Sequence, residues 1–254
     1  MIALFAAMRL EVQRFLRRLE VRDHSRLEGF PVTLGEYGGR PVLVCLTGMG
    51  RRAEAAVRAV LDRHQPRMVL SVGVGGALSP ELSVGDLVVC ESVERASSGP
   101  EEAEPVCSDE ELLRLADAGV ERAGLKVRRG RSLTVDRVVG DPAEKDALRR
   151  SQGPDVVEME SYWVGRAALD KRLPFLAVRA ISDGIGDPVP HIPGAFTPEG
   201  ELQMHRVLAY VLRRPARIPL LLRLARGNLK AVANLTRFLE SFTRAELNSA
   251  GGQT

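Results

Sequence analysis

The feature that most constrains the fold is an alternation of short apolar segments with segments of helical period. Apolar stretches at 2–8, 68–74 and 175–182 each suit one buried strand, and amphipathic stretches lie between them. Such alternation is typical of an α/β protein with a mixed, mainly parallel sheet covered by helices on both faces. Because 254 residues can bury one sizeable core, we expect a single domain of this class.

The same periodicities predict the individual elements. Strands are predicted at 2–8, 31–47 (a hairpin turning at Gly38-Gly39), 68–74, 87–93, 132–139 and 175–182, with a strand-to-helix junction at 155–160. Helices are predicted at 12–19, 52–64, 109–123, 142–150 and 161–171, and in the tail. Segments 97–105 and 184–200 are predicted loops, and the second follows a strand end, where α/β proteins usually build their sites.

A glycine cluster closes the strand at 68–74 and continues to Gly76. It departs from a dinucleotide-binding fingerprint, because the last glycine of that pattern would fall at Leu78 and no helix start follows. Glycines let a backbone approach a ligand closely, so Val74, Gly75 and Gly76 are candidate substrate-binding residues. Tight packing between strands is the alternative interpretation.

Two carboxylates, Glu158 and Glu160, flank Met159 at the strand-to-helix junction. In an extended segment both would point to the same side. Carboxylates suit sugar diols because each accepts two hydroxyl hydrogen bonds, so all three residues are candidates for binding a sugar. The alternative is that Glu160 caps the following helix.

Asp183 ends a buried strand and precedes the loop at 184–200, which is a good position for a general acid, and Ser182 is a candidate ligand contact beside it. An Asp that forms the turn before Gly184 is the alternative. Glu11 lies just past the first strand, and taken alone it suggests a solvated helix residue.

These four segments, in this order, resemble the purine nucleoside phosphorylase family, and within it the methylthioadenosine/S-adenosylhomocysteine nucleosidases. The shared patterns are Ala-Met followed by Glu-Val at 7–12, the glycines with Val-Gly-Asp at 73–86, Val-Glu-Met-Glu at 157–160 and Val-Arg-Ala-Ile-Ser-Asp at 178–183. The resemblance runs from residue 1 to about 190, and the last two motifs are highly specific.

The resemblance implies a role for each matching residue. Asp183 would protonate the purine N7 as the glycosidic bond breaks, and Glu11 would activate the attacking water. Met159 and Glu160 would hold the ribose. Val138 and Val139 would line the base pocket, although the pattern around them departs from that of the family. An acid on the leaving base and a carboxylate-oriented water on the other face suit an oxocarbenium-like sugar.

One departure bears on the nucleophile. Phosphorylases of this family place an Arg and a Ser or Thr on the glycine turn to bind phosphate, and those positions look like Ser71 and Val74 here. Without that cation and hydroxyl a phosphate site is hard to build, which favours water.

The tail beyond residue 204 has an unusual charge distribution. Between His205 and Leu239 there are eight Lys or Arg and no Asp or Glu; the whole chain carries +3, so the remainder carries −5. We predict a catalytic domain at 1–204 and a basic, amphipathic helical extension at 205–254. Leucines among arginines can bind a membrane interface rich in anionic lipid. The alternative is a solvated helix packed on the body or on a second subunit.

The tail also resembles that of the hopanoid-associated phosphorylases, through Arg-Arg-Pro-Ala at 213–216 and Met-Glu-Ser at 159–161. That group removes adenine from adenosylhopane to leave ribosylhopane. The resemblance implies a lipid-linked nucleoside as substrate. Alternatives are methylthioadenosine, S-adenosylhomocysteine or futalosine as substrate, a purine nucleoside phosphorylase, or a non-catalytic nucleoside sensor.

Other partners follow from composition. Cys45, Cys90 and Cys107 lie far apart without metal-like spacing, so we expect reduced thiols, no metal, no cofactor and a cytoplasmic protein, peripheral to the membrane if the tail binds it. The tail has too few aromatic residues for nucleic-acid stacking. Family resemblance implies a homodimer or a larger homo-oligomer.

Overall fold

The computed structural model describes residues 1–96, 103–197 and 199–250, with side chains as far as residue 245. In that part of the chain the strands are β1 Ile2–Ala6, β2 Glu20–Leu27, β3 Phe30–Tyr37, β4 Arg40–Leu46, β5 Met68–Ala77, β6 Leu87–Arg95, β7 Val106–Cys107, β8 Val127–Thr134, β9 Val156–Glu158 and β10 Phe175–Asp183. The helices are α1 Arg9–Leu16, α2 Arg52–Arg63, α3 Glu110–Ala123, α4 Pro142–Gln152, α5 Ser161–Asp170, α6 Met204–Arg213 and α7 Ile218–Ala250. Most of the predicted loop at 97–105 lies outside the described residues.

One mixed sheet contains all of these strands. Parallel pairs join β1 to β4 and β5, β5 to β10, and β8 to β6 and β9. Antiparallel pairs add β2 and β3 at one edge and connect β10 to β6 and β5 to β9. Strands β5, β9, β8, β6 and β10 therefore form a closed ring, and the predicted mixed α/β sheet is confirmed.

Helices cover both faces of this sheet, as the alternation predicts. On one face α2 and α5 pack over an apolar cluster that includes Phe5, Val69 and Trp163. On the other face α1, α3 and α7 pack over a cluster that includes Phe15 and Phe238. The core is therefore two apolar layers separated by the sheet, which places the strand ends between them.

Local sequence explains the ends of several helices. Asp109 caps α3, because its carboxylate accepts the N–H groups of Glu111 and Leu112 at 2.9 and 3.1 Å. Asp141 caps α4 in the same way, with Pro142 in the first turn. Gly124 ends α3 in the left-handed conformation, at φ 58°.

Several boundaries differ from the sequence prediction. The strand predicted at 132–139 is β8, which runs from Val127 to Thr134. The glycines at 73–76 lie inside β5, because their N–H and C=O groups pair with β9 and β10. The tail is also not a separate unit: Leu235, Phe238 and Phe242 of α7 are buried in the main core. A boundary at 204/205 would divide one apolar core, so only the part of the tail before about residue 231 lies outside it.

Candidate active site

The predicted site residues come from four strand ends that meet on one side of the sheet. Glu11 follows β1, and the backbone of β5 runs past it. Glu158 ends β9 and Glu160 follows it, and Asp183 ends β10 beside Gly76 of β5. Because β1, β5 and β10 are parallel neighbours, their carboxyl ends converge, as expected for a site in this class of sheet.

Glu11 is a buried carboxylate held by backbone groups. It is only 4% exposed, and its oxygens accept the N–H of Met8 and the N–H of Val74, both at 2.9 Å. Burial raises the pKa of Glu11, and these hydrogen bonds offset only part of that rise. The solvated position suggested by Glu11 alone is therefore wrong, and the carboxyl has the raised pKa of a candidate base.

Glu158 has protein partners on both of its oxygens. Its Oε2 lies 2.7 Å from Arg179 Nη2 and accepts the N–H groups of Glu160 and Ser161 at 3.0 and 2.7 Å, and its Oε1 accepts the Thr134 hydroxyl. Burial alone would raise the pKa of Glu158, but Arg179 and these donors hold it below its ordinary value. The prediction that Glu158 binds substrate is therefore revised: its oxygens are already occupied, and it anchors Arg179.

Glu160 has a different environment, although it lies only two residues away. Its Oε1 accepts the N–H of Gly50 at 2.9 Å, and its side chain makes no cap bond to α5. The N–H groups at the start of that helix are bound by Glu158 instead. Burial, together with the negative charges of Glu158 and Glu11, raises the pKa of Glu160 to about 8. The capping alternative therefore does not describe Glu160, which is left for a ligand.

Asp183 is 8% exposed and has two different neighbours. The Ser182 hydroxyl donates to its Oδ1 at 2.6 Å and lies 3.2 Å from the carbonyl oxygen of Gly75. Its Oδ2 pairs with the ammonium of Lys145, a residue of α4 that no sequence motif had indicated. The Ser182 hydroxyl therefore orients Asp183 while remaining near the surface of the site.

The glycines of β5 make room for these side chains. A Cβ at Gly73 would lie 2.6 Å from Glu11 Oε1, and a Cβ at Gly76 would lie 3.0 Å from Asp183 Oδ2. At Gly75 the nearest atom would be Val156 Cγ2 at 2.6 Å, which is strand packing. Strand packing therefore explains Gly75, and Gly73 and Gly76 leave room for the two carboxylates. Contact between Val74, Gly75 or Gly76 and a substrate stays a prediction.

The predicted base-pocket residues divide into two groups. Val139 is buried with Leu133 and Val157 in a small apolar cluster, and Met159 packs partly against it. Val138 is 50% exposed and lies outside that cluster. Contact between either valine and a base stays a prediction.

Sequence reasoning missed three residues that build the site. Arg179 is 2% exposed and binds Ser71 Oγ at 2.8 Å as well as Glu158. A charged residue inside an otherwise apolar strand was the available signal. Gly50 and Lys145 had no comparable signal, because only the folded chain brings them to Glu160 and Asp183.

Among the described residues, no group of His, Cys, Asp or Glu side chains is placed to hold a metal ion. Glu11 and Glu160 accept backbone N–H groups, and Asp183 faces an ammonium.

Comparisons to known proteins identify the family. The family model of the phosphorylase superfamily matches residues 1–213. The chain belongs to this superfamily. The match confirms the prediction of an enzyme that cleaves N-glycosidic bonds.

Individual relatives share the same fold. The chain is 28% identical over 199 residues to the 5′-methylthioadenosine/S-adenosylhomocysteine nucleosidase of Bacillus subtilis (strain 168), covering 73% of this chain and 86% of that protein. The nucleosidase of Neisseria meningitidis in complex with methylthio-immucillin-A has a TM-score of 0.76 at 19% identity, covering 95% and 97% of the two chains. The futalosine hydrolase of Helicobacter pylori strain 26695 has a TM-score of 0.76 at 20% identity, covering 96% and 97%.

Proposed function

We propose that this chain hydrolyses the N-glycosidic bond of a 5′-substituted adenosine and releases adenine. The observation that carries the proposal is the placement of Glu11 and Asp183 against β5, with Glu160 close enough to Glu11 for the two charges to interact. Glu11 lies beside Gly73 and Asp183 beside Gly76, so the two approach β5 at points about 10 Å apart, at roughly 3.3 Å per residue. A nucleoside bound between them would have a general acid, Asp183, beside its adenine and a general base, Glu11, beside the attacking water.

Each side chain has a chemical role in this proposal. As the bond from C1′ to N9 breaks, Asp183 gives a proton to N7, so that adenine leaves neutral. Glu160 accepts hydrogen bonds from the ribose hydroxyls and stabilises positive charge developing on the sugar. Glu11 takes the proton of the attacking water as it adds to C1′. Intact acid and base positions also argue against a non-catalytic sensor.

Electrostatics favours water over phosphate as the nucleophile. The guanidinium of Arg179 is already bound to Glu158 and Ser71, so it is not available to an anion. Glu11 accepts the N–H of Val74, so this backbone donor is not available to an anion either. Phosphate should therefore leave the rate of adenine release unchanged.

Adenine release from S-adenosylhomocysteine tests this proposal, since it needs no lipid. We expect Asp183→Asn to bind the nucleoside but turn it over at least ~100-fold more slowly, the usual scale for loss of a general acid. The control is Asp62→Asn, the same change on the exposed face of α2. Near-wild-type turnover by Asp183→Asn would remove it from the mechanism, and sugar 1-phosphate formed in phosphate buffer would show a phosphorylase.

We further propose that the 5′ substituent is a lipid, with adenosylhopane as the substrate and ribosylhopane as the product. Support comes from an exposed apolar surface on α6 and the start of α7. Along α6, Met204, Leu208 and Leu212 recur every four residues and are 64%, 58% and 74% exposed. On α7, Leu222 and Leu229 are 51% and 52% exposed. This surface, the leucine face, is an amphipathic arrangement that can enter a lipid interface.

The leucine face is connected to the active site by the segment at 184–203. Gly200 packs against the end of β1, where an added Cβ would lie 2.8 Å from the carbonyl oxygen of Ala7. Val189 donates its N–H to the carbonyl oxygen of Gly140 at 2.9 Å, next to the predicted base pocket. A nucleoside in the site and a lipid tail on the leucine face would therefore be neighbours.

Basic residues surround the leucine face. Arg213, Arg214, Arg217 and Arg226 are exposed, and no acidic residue occurs between 205 and 239. Each cation near an anionic surface contributes about 1 kcal/mol, so a few engaged together bind a membrane reversibly. No helix in the described chain is both long and apolar enough to cross a bilayer, so the proposed association is peripheral.

Vesicle co-sedimentation tests this surface. We expect the protein to bind anionic but not neutral vesicles at low salt, and to lose binding at high salt because screening weakens the attraction. Leu208→Ser with Leu212→Ser should abolish binding and leave S-adenosylhomocysteine cleavage intact. The control is Leu169→Ser, the same change at a leucine of α5 that is 42% exposed. If the wild-type chain ignores anionic vesicles at low salt, the surface is structural.

The substrate is tested by incubation with adenosylhopane in mixed vesicles, with and without phosphate. Adenine and ribosylhopane are the expected products. Turnover of methylthioadenosine, S-adenosylhomocysteine or futalosine that exceeds turnover of adenosylhopane would identify a soluble-nucleoside enzyme instead.

We also propose a homodimer or larger homo-oligomer, to be measured by light scattering on the wild type and the leucine variants.

A further inference from the structure

Helix α4 is anchored by a lysine. Lys145 is the one side chain of α4 that is fully buried, at 0% exposure, while the charged residues on either side of it reach solvent. Amphipathic helices normally bury apolar residues, and a buried ammonium is costly unless it is paired and fully hydrogen-bonded. The burial of the Lys145 ammonium must therefore be balanced by the groups that accept its hydrogens.

The ammonium of Lys145 has a complete set of acceptors. It pairs with Asp183 Oδ2, and it donates to the carbonyl oxygens of Gly184 and Asp187 at 2.9 and 3.2 Å. An ammonium has three hydrogens, so each one has an acceptor. Two of the three acceptors belong to the segment that follows β10, so Lys145 also holds the backbone that carries Asp183 into the site.

This pairing raises a question about proton supply. A carboxylate bound by an ammonium carries no proton of its own, but the proposed reaction needs one delivered to N7. The proton nearest to Asp183 on this side is on Lys145. Its other oxygen accepts from the Ser182 hydroxyl at 2.6 Å, and an aliphatic hydroxyl is a far weaker acid than an ammonium.

We propose that Lys145 positions Asp183 and supplies the proton that Asp183 passes to the leaving base. As the C1′–N9 bond breaks, its electron pair stays on N9 of the base, and a proton moves from Lys145 to Asp183 and from Asp183 to N7. Water adds to C1′ and gives its proton to Glu11. After adenine leaves, Glu11 releases that proton to solvent and the neutral Lys145 takes one up, which restores the starting ion pair with Asp183. The inference rests on the proposed function.

Other charged groups near this pair are already neutralised. Asp187 binds Arg223 of α7 at 2.8 Å, and its second oxygen accepts the N–H of Gly184 at 2.9 Å. Glu158 on the neighbouring β9 is paired with Arg179. These groups are therefore not placed to supply a proton to Asp183, which leaves Lys145 as its donor.

The test measures kcat and KM for S-adenosylhomocysteine from pH 5 to 10. In Lys145→Met the proton must reside on Asp183 itself, so we expect kcat to fall about 100-fold at pH 7.5, with the alkaline limb moved to lower pH and partial recovery in acid. KM should change little, because Lys145 does not face the substrate. Arg150→Met, on the exposed side of α4, should behave as wild type.

Lys145→Arg separates charge from proton supply and provides the test if Lys145→Met does not fold. Arginine keeps the positive charge but does not give up its proton in a protein, so we expect a folded enzyme with kcat still low. Near-wild-type kcat in Lys145→Arg would overturn the inference. So would a uniform loss in Lys145→Met without a shifted limb.

Failure of the inference is distinguishable from failure of the proposed function. If Asp183→Asn is inactive and Lys145→Met is normal at every pH, only the inference fails. If Asp183→Asn is fully active, the proposed function fails first. In the double variant, Lys145→Met should cost nothing further once Asp183 is Asn, because a residue acting only through Asp183 has no independent effect.

Discussion

Two regions of the same pocket handle buried charge in opposite ways. On one side, Glu158 and Arg179 form a pair in which each is at most 2% exposed and every bond is made within the protein. On the other side, Glu160 and Glu11 share the pocket with no cation of their own. The difference arises because Arg179 donates both its Nε–H and its Nη2–H to Glu158. Only one of the three carboxylates is therefore paired with a cation.

That difference teaches how one short motif can supply both structure and reactivity. Glu158 and Glu160 are the same residue type two positions apart, yet their pKa values move in opposite directions from the ordinary value near 4.5. Environments that push the pKa values of neighbouring groups apart are how folds separate acid and base roles. We therefore expect Glu158 to matter for folding and Glu160 for turnover.

The largest effect expected is the loss of the structural pair. Glu158→Gln should lower the free energy of unfolding by about 3 kcal/mol or more, because removing one partner leaves the guanidinium of Arg179 buried without its counter-charge. For a chain of this size that is a fall in Tm of roughly 10 °C, measurable by calorimetry. The matched control is Glu160→Gln. An equal Tm for both variants would contradict the division between the two sides.

Glu160→Gln should produce the next largest effect, on activity. We expect kcat/KM for adenine release to fall ~100-fold, about 2.7 kcal/mol of transition-state stabilisation, because an amide cannot ionise as positive charge develops on the sugar. Asp62→Asn serves again as the control variant, with activity expected to stay at the wild-type level. Full activity in Glu160→Gln would remove it from the proposed sugar contacts.

Replacing each of two β5 glycines with alanine tests whether the backbone near Glu11 serves chemistry and the backbone near Val156 serves packing. Gly73→Ala places a Cβ 2.6 Å from Glu11 Oε1 and should lower kcat about 10-fold with a small change in Tm, because only a carboxylate must move. Gly75→Ala meets Val156 and the backbone oxygen of Val157 and should cost about 1–3 kcal/mol of stability. Reversal of the two phenotypes would show that Glu11 is not held for chemistry.

The smallest effect is a pH-dependent stability. The pKa of Glu160 is about 8 in the folded chain against 4.5 as its ordinary value, so between those pH values the folded chain holds a proton that the unfolded chain releases. Its contribution to stability is intact below pH 4.5 and is lost as pH rises to about 8. Gln does not titrate, so Glu160→Gln should melt higher than wild type by a few degrees at pH 8–9 and equally near pH 5. A difference independent of pH would contradict this.

Much of the fold was predictable because its signals are local. The hairpin around Gly38-Gly39 and the helices at 52–63 and 110–123 follow from periodicity, caps and turn residues. Strand β2 was missed, because its exposed edge position leaves it polar and without alternation. The tail was predicted to be helical, but the burial of its aromatic side chains was not foreseen, since its arginines and its core-facing aromatics occupy the same helix.

By itself, the sequence determined the class of the sheet, the superfamily and the identity of the carboxylates, because motifs such as those at 157–160 and 178–183 are contiguous. Only the tertiary structure decided which carboxylate is neutralised. Arg179 could have paired with Glu11, Glu158 or Glu160, and the register of β10 against β5 directs it to Glu158. Likewise Lys145 reaches Asp183 across 38 residues of chain, a contact that arises from the packing of α4 and leaves no trace in local pattern.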